Sequence, residues 1–193
     1  MIRKGIKNDA FTVFLSILGL WLLSILFPGD ALSIEEEYKV KAVFLERFTR
    51  FVEWPEDADM DDPSMPFIIC VIGDNPFEKK LEQAYENRMI QGKPVRIRYV
   101  SGLKDIVPCH LLFVSSSMKA QLEEILSYTK DKSILTIGDT EGFAEKGVHI
   151  NFYLREESAR FTINETAVRN SSLKMDFRLL QYAKIVNPVE RKE

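Results

Sequence analysis

The chain has 193 residues, of which 46% are hydrophobic and 28% are charged, and its formal net charge is −3 at pH 7. This length is enough for one domain with a buried core. The mildly acidic balance argues against nucleic acid as a partner, because binding to phosphates depends on clustered positive charge.

The N-terminal 33 residues predict an export signal. An uncharged apolar run at 11–27 follows three basic residues, and Pro28 and small residues follow the run. This order is typical of a secretory signal peptide, with cleavage expected after Ala31 or after Ser33. An uncleaved membrane anchor is the alternative, although the run is slightly shorter than the roughly 20 residues of a spanning helix. We therefore expect an exported protein.

The rest of the chain predicts alternating helices and strands. Short apolar runs bounded by Gly, Asp or Pro predict strands at 67–72, 95–100, 109–114, 133–137, 148–154 and 159–163. Apolar residues at three- and four-residue spacing predict helices at 35–52, 77–89, 118–129, from Asn164 onward, and at 173–186. This alternation indicates an α/β fold: a mostly parallel, twisted, flavodoxin-like sheet with helices on both faces, a C-terminal β-hairpin and a closing helix. Residues 34–187 would form one domain, and 188–193 a polar tail.

The two cysteines, Cys70 and Cys109, lie in two of the predicted strands. An even pair in an exported protein favours a disulfide, while two buried free thiols are the alternative. If these strands are neighbours in a flavodoxin-like order, bridging is geometrically feasible.

Polar residues follow three of the predicted strands, at Asp74, Ser115 and Asp139. Ligands of open α/β sheets bind at the carboxyl ends of the strands, so these residues are candidates for a small-ligand pocket. Alternatively, they cap the helices that follow and need no ligand. The sequence contains no nucleophile elbow, phosphate-binding loop or zinc-protease helix, so we expect no enzyme, no cofactor and no metal site.

Four residues are candidates for partner contact. Trp54 follows the first predicted helix and is either an interface anchor or a core residue at the helix exit. In the predicted closing helix, Leu173, Phe177 and Leu180 form one apolar stripe, and a second stripe lies beside it. A helix that is apolar on two sides is either deeply buried or in contact with a partner, such as a second copy of the chain.

Several segments in order resemble the YfiR-like family of periplasmic proteins. They are YKVKAVFLERFTRFVEWP at 38–55, FIICVIGDNPF at 67–77, the GKPV turn at 92–95, CHLLFVSSS at 109–117, ILTIGDTEGFAEKGVHINF at 134–152 and FTINETAVRNSSLKMDFRLLQYAKIV at 161–186. Together they cover nearly all of the chain after the predicted signal. Two departures from the family pattern stand out. Asp176 and Phe177 replace a serine pair, and no second cysteine pair lies near 142–152.

The resemblance implies a non-enzymatic periplasmic regulator. The best-understood members bind the periplasmic sensor region of an inner-membrane diguanylate cyclase and hold it inactive, which lowers cyclic di-GMP signalling. Members also tend to form homodimers, and Cys70 and Cys109 match a cysteine pair of the family. The alternative from the residues themselves is a periplasmic small-ligand-binding component that uses Asp74, Ser115 and Asp139.

Overall fold

The computed structural model of the protein describes residues 33–187. Apart from Ser33, the predicted signal peptide lies outside the described residues, as does the predicted tail 188–193. The helices are α1 (Ile34–Thr49), α2 (Lys80–Tyr85), α3 (Leu122–Thr129), α4 (Phe143–Lys146), α5 (Glu165–Arg169) and α6 (Phe177–Leu180). The strands are β1 (Val52–Glu53), β2 (Phe67–Ile72), β3 (Met89–Ile90), β4 (Lys93–Val100), β5 (Leu111–Val114), β6 (Leu135–Gly138), β7 (Ile150–Arg155), β8 (Ser158–Asn164), β9 (Lys174–Met175) and β10 (Lys184–Val186).

Eight strands form one mixed sheet in the order β10-β8-β7-β6-β5-β2-β4-β3. Five neighbouring strands of this sheet are parallel: β4, β2, β5, β6 and β7. Their order is that of a flavodoxin-like fold. β7 and β8 form the predicted antiparallel hairpin. A separate two-stranded sheet pairs β1 with β9. The predicted α/β class and mostly parallel sheet are confirmed.

The central strands are apolar because both faces of the sheet are covered. Every residue of β2 is buried, as its continuous apolar sequence predicts for a strand between two layers of helices. One face packs on α1, where the Phe48 ring lies 4.9 Å from Phe161 and 5.4 Å from Phe152 between centroids. The other face packs on α3 through Leu122 and Ile125.

The first helix begins after a residue that caps it. The Ser33 hydroxyl accepts a hydrogen bond from the Glu36 amide at 3.2 Å, and three glutamates of the first turn complement the positive end of the helix dipole. The helix ends at Thr49 rather than at 52, and the chain continues directly into β1. Its buried stripe, which includes Leu45 and Phe48, fixes it against the sheet.

The predicted closing helix at 173–186 is wrong. The structure replaces it with β9, the single turn α6, and β10, which pairs in parallel with β8. The Asp176 carboxylate accepts a hydrogen bond from the Arg178 amide at 2.8 Å, so Asp176 starts a new helical turn instead of continuing one. At the far end, Ile185 lies opposite Ile163 of β8, as suits β-branched residues.

Smaller differences concern the bounds of two helices and the edge of the sheet. The helices predicted at 77–89 and 118–129 begin later, as α2 and α3. The hairpin turns at Glu156 and Glu157, which both have positive φ. The hairpin is not at the edge of the sheet, because β10 pairs with the outer side of β8.

Candidate functional site

The predicted disulfide is present. Cys70 lies in β2 and Cys109 lies two residues before the start of β5, and their sulfurs are bonded with the Cα atoms 6.1 Å apart. Both residues are buried. The bridge therefore ties two central strands together near the amino end of β5.

The histidine next to the bridge has a structural arrangement. The ring of His110 stacks on Phe67 with centroids 4.8 Å apart. Its Nδ1 accepts from the Ile68 amide at 2.9 Å, and its Nε2 lies 3.1 Å from the Ala58 carbonyl, to which it donates. Burial lowers the pKa of His110. The ring is therefore neutral near pH 7, with both nitrogens engaged.

His149 is also neutral and engaged. Its Nδ1 accepts from the Thr136 amide at 3.1 Å. Burial lowers the pKa of His149 to about 4.

Asp139 connects the end of β6 to the first helix. Its Oδ2 accepts from the Tyr38 hydroxyl and from Lys41 Nζ, each at 2.7 Å. Lys41 Nζ also pairs with Glu37 at 2.5 Å, and the Lys41 and Asp139 side chains are buried. Burial first, and then the charge of Asp139, raises the pKa of Tyr38, so its hydroxyl stays protonated and donates. This cluster fixes α1 against the sheet.

The other two pocket candidates meet at the neighbouring strand ends. The Asp74 amide donates to Ser117 Oγ at 2.9 Å, and that hydroxyl lies 3.5 Å from Ser115 Oγ. Gly73 permits this approach: its φ is +90°, and a Cβ there would lie 2.5 Å from Ser117 Oγ. Asp74 is exposed and Ser115 is buried. The structure thus joins Asp74 to Ser115 through Ser117, whereas the Asp139 carboxylate contacts α1.

The four partner-contact candidates divide between the core and the surface. Leu173 is buried, Leu180 packs partly against the core, and the Trp54 ring meets Phe67 edge-on with centroids 5.4 Å apart. Within residues 33–187, the buried Trp54 Nε1 has no hydrogen-bond partner. Phe177, by contrast, is 64% exposed. The predicted stripe does not form, because its residues are not on one helix.

Residues 176–182, which we call the aromatic segment, also expose a residue that was not among the candidates. Tyr182 is 77% exposed. The segment is held at its start, where the Asp176 amide donates to the Phe51 carbonyl at 2.8 Å, and in its middle, where Leu179 is buried. In the sequence, Asp176 is the residue that could have indicated a short turn here, because aspartate often caps the start of a helix. The apolar spacing at 173–186 favoured a long helix instead.

Among the described residues, no helix combines the length and apolarity needed to cross a membrane. No group of three or more histidine, cysteine or acidic residues within 33–187 is arranged to hold a metal ion.

A comparison with known protein families shows which family the chain belongs to. The model of the YfiR/HmsC-like family matches residues 38–184, which include the hairpin, the disulfide and the aromatic segment. The chain belongs to the YfiR/HmsC-like family. A comparison with curated proteins finds no match. The region that matches the YfiR/HmsC-like family begins at Tyr38, the partner of Asp139, and ends within β10.

Proposed function

We propose that the protein is a periplasmic regulator that binds the periplasmic sensor region of an inner-membrane diguanylate cyclase and lowers cyclic di-GMP synthesis. Membership of the YfiR/HmsC-like family supports this role. So does the apolar run that predicts export, together with the disulfide, which suits an oxidising compartment. A homodimer is part of the same proposal.

The observation that carries the proposal is the exposure of the aromatic segment. Phe177 and Tyr182 are 64% and 77% exposed, respectively. Large aromatic side chains at the centre of an interface contribute much of its binding energy. They cost little entropy when their backbone is already ordered, and here the Asp176 amide and the buried Leu179 hold it.

The remaining partner-contact candidates have a supporting role in this proposal. Leu173 and Leu180 pack on the core and would hold the aromatic segment in place against it. Trp54 packs on Phe67 of the core. Contact with the cyclase would then centre on Phe177.

The proposed action is binding rather than catalysis. Both histidines are held neutral, with Nδ1 accepting from backbone amides at Ile68 and Thr136. Asp139 is paired with Lys41. These groups, which an acid–base mechanism would use, are engaged in holding the fold.

Deleting the gene tests the function. We expect the deletion to raise cellular cyclic di-GMP. A plasmid-borne copy of the gene should return it to the wild-type level. A photo-crosslinking phenylalanine analogue at position 177 should then form an adduct with a membrane diguanylate cyclase. The same analogue at Tyr99, an exposed aromatic residue on β4, should form none. An unchanged cyclic di-GMP level, with no cyclase adduct at position 177, would refute the proposal.

A further inference from the structure

A cleft of about 370 Å³ lies at the carboxyl end of β6, where β7 and β8 continue beyond it. Three residues of its floor form a row across neighbouring strands: Asn151 lies opposite Thr162, and Thr162 lies opposite Lys184. Paired residues in neighbouring strands point to the same face of a sheet. The side chains of this row therefore project together into the cleft. The carboxylate residues Glu141 and Glu145 are exposed at its mouth.

The side-chain amide of Asn151 has one atom without a partner. The residue is 5% exposed, and its Nδ2 donates to the Thr140 carbonyl at 3.0 Å and to the Phe152 carbonyl at 3.1 Å. Because both amide hydrogens have acceptors, the orientation of the amide is fixed by its surroundings. Its Oδ1 is buried and has no hydrogen-bond partner within residues 33–187.

A second unpaired atom lies at the same corner. The Thr140 hydroxyl is buried without a partner among the described residues, and the carbonyl of the same residue accepts from Asn151. Folded proteins leave few such groups, because an unmet buried acceptor costs free energy. Because Asn151 lines the cleft, a molecule bound there can supply the donor that its Oδ1 lacks.

The charges around the cleft select the class of that molecule. An unpaired carbonyl oxygen needs an N–H or O–H donor. The cleft carries Asp139, Glu141 and Glu145 against the single cation Lys184, and this balance favours a positive ligand. One oxygen of Asp139 is already taken by Tyr38 and Lys41, so the two glutamates remain available.

We propose that this cleft binds a small organic cation through its primary ammonium group, which donates to Asn151 Oδ1 while Glu141 and Glu145 balance its charge. An ammonium group has three donors, which is enough for the amide oxygen of Asn151 and for the two carboxylates. The site is separate from the aromatic segment and does not depend on the proposed contact with a cyclase.

Calorimetric titration of the purified full chain with diaminobutane tests the site. We expect saturable binding, and no binding of butanediol, which has the same carbon chain without charge. Asn151→Ala should weaken binding about tenfold to a hundredfold, as expected for one hydrogen bond to a charged group. Because Asn151→Ala also removes two internal hydrogen bonds, its fold is checked by circular dichroism.

Glu145→Gln, an exposed substitution that leaves folding intact, should weaken binding severalfold. Glu123→Gln on α3, which is equally exposed and outside the cleft, should leave the affinity unchanged. Phe177→Ala should also bind diaminobutane like the wild type, so failure of the cleft and failure of the cyclase contact are distinguishable. No binding of diaminobutane at millimolar concentration, equal binding of butanediol, or equal weakening by Glu123→Gln would overturn the proposal and leave water as the partner of Asn151.

Discussion

The interior of the sheet and the aromatic segment differ in where their side chains find partners. Inside, Lys41 lies between two carboxylates, one of them Asp139, and both are supplied by the chain itself. On the aromatic segment, Phe177 and Tyr182 face solvent although the backbone that carries them is tied to the core.

This difference separates stability from binding. A buried polar group that loses its partner retains its desolvation cost, so substitutions inside the sheet should lower the free energy of unfolding. An exposed side chain that is truncated loses little of that energy, but an interface that depends on it loses affinity. Substitutions inside the sheet should therefore lower stability, and substitutions in the aromatic segment should lower affinity.

The largest effect should come from the buried cation. Lys41→Met leaves the carboxylates of Glu37 and Asp139 without their ammonium partner in a buried site. We expect a loss of about 3–5 kcal/mol in the free energy of unfolding, as for other broken buried ion pairs. Urea denaturation followed by tryptophan fluorescence measures it.

A matched control lies two residues away on the same helix. Lys39 also pairs with two carboxylates, those of Glu35 and Glu36, but on the surface. Lys39→Met should therefore change stability little. Equal losses in the free energy of unfolding for both variants would mean that burial of the Lys41 ion pairs does not add to their effect on stability.

The disulfide should have the next largest effect. Cys70→Ala opens a bridge between residues 39 apart in sequence, and this should cost about 3–4 kcal/mol under oxidising conditions. Under a reductant that opens the wild-type bridge, the variant and the wild type should unfold at nearly the same urea concentration. A difference that persists under reductant would show that packing at Cys70, rather than the bridge, provides the stability.

His149 should make the protein sensitive to acid. Its pKa is about 4 in the fold against 6.5 as the ordinary value, so the unfolded chain binds this proton first. The stabilisation is complete above about pH 6.5 and is lost as the pH falls towards 4, by about 3 kcal/mol in all. Unfolding free energies across this range should therefore fall less steeply for His149→Gln than for the wild type. Parallel profiles would contradict this role.

The fold was predictable where the signal is local and strong. The continuous apolar sequence of β2 predicts a strand buried on both faces, and Asn164 predicts a helix start, where its side chain accepts from the Ala167 amide at 2.8 Å. The helix predicted at 173–186 is wrong because the apolar residues of this stretch fit helical spacing as well as strand pairing. The pairing of Ile185 with Ile163 of β8 decides between them, and local sequence does not contain that contact.

The candidate site was less predictable for the same reason. The position of Asp139 at a strand end was correctly anticipated, but its partner Lys41 lies 98 residues earlier in the chain. The unpaired oxygen of Asn151 depends on two carbonyls that only the folded chain brings near it. Burial and long-range hydrogen bonding, rather than residue type, distinguish these groups.

The smallest change in stability is expected for the aromatic segment. Phe177→Ala with Tyr182→Ala should alter the free energy of unfolding by no more than about 0.5 kcal/mol for each exposed residue. Leu154→Ala is the matched control, because it truncates an exposed apolar residue on the hairpin.

Cyclic di-GMP in cells that carry these variants in place of the wild-type gene shows whether the aromatic segment carries the inhibition of the cyclase. We expect the Phe177→Ala, Tyr182→Ala protein to accumulate normally and yet to leave cyclic di-GMP as high as in a deletion strain, while Leu154→Ala keeps it at the wild-type level. A wild-type level with the double variant would show that Phe177 and Tyr182 do not make the contact that inhibits the cyclase.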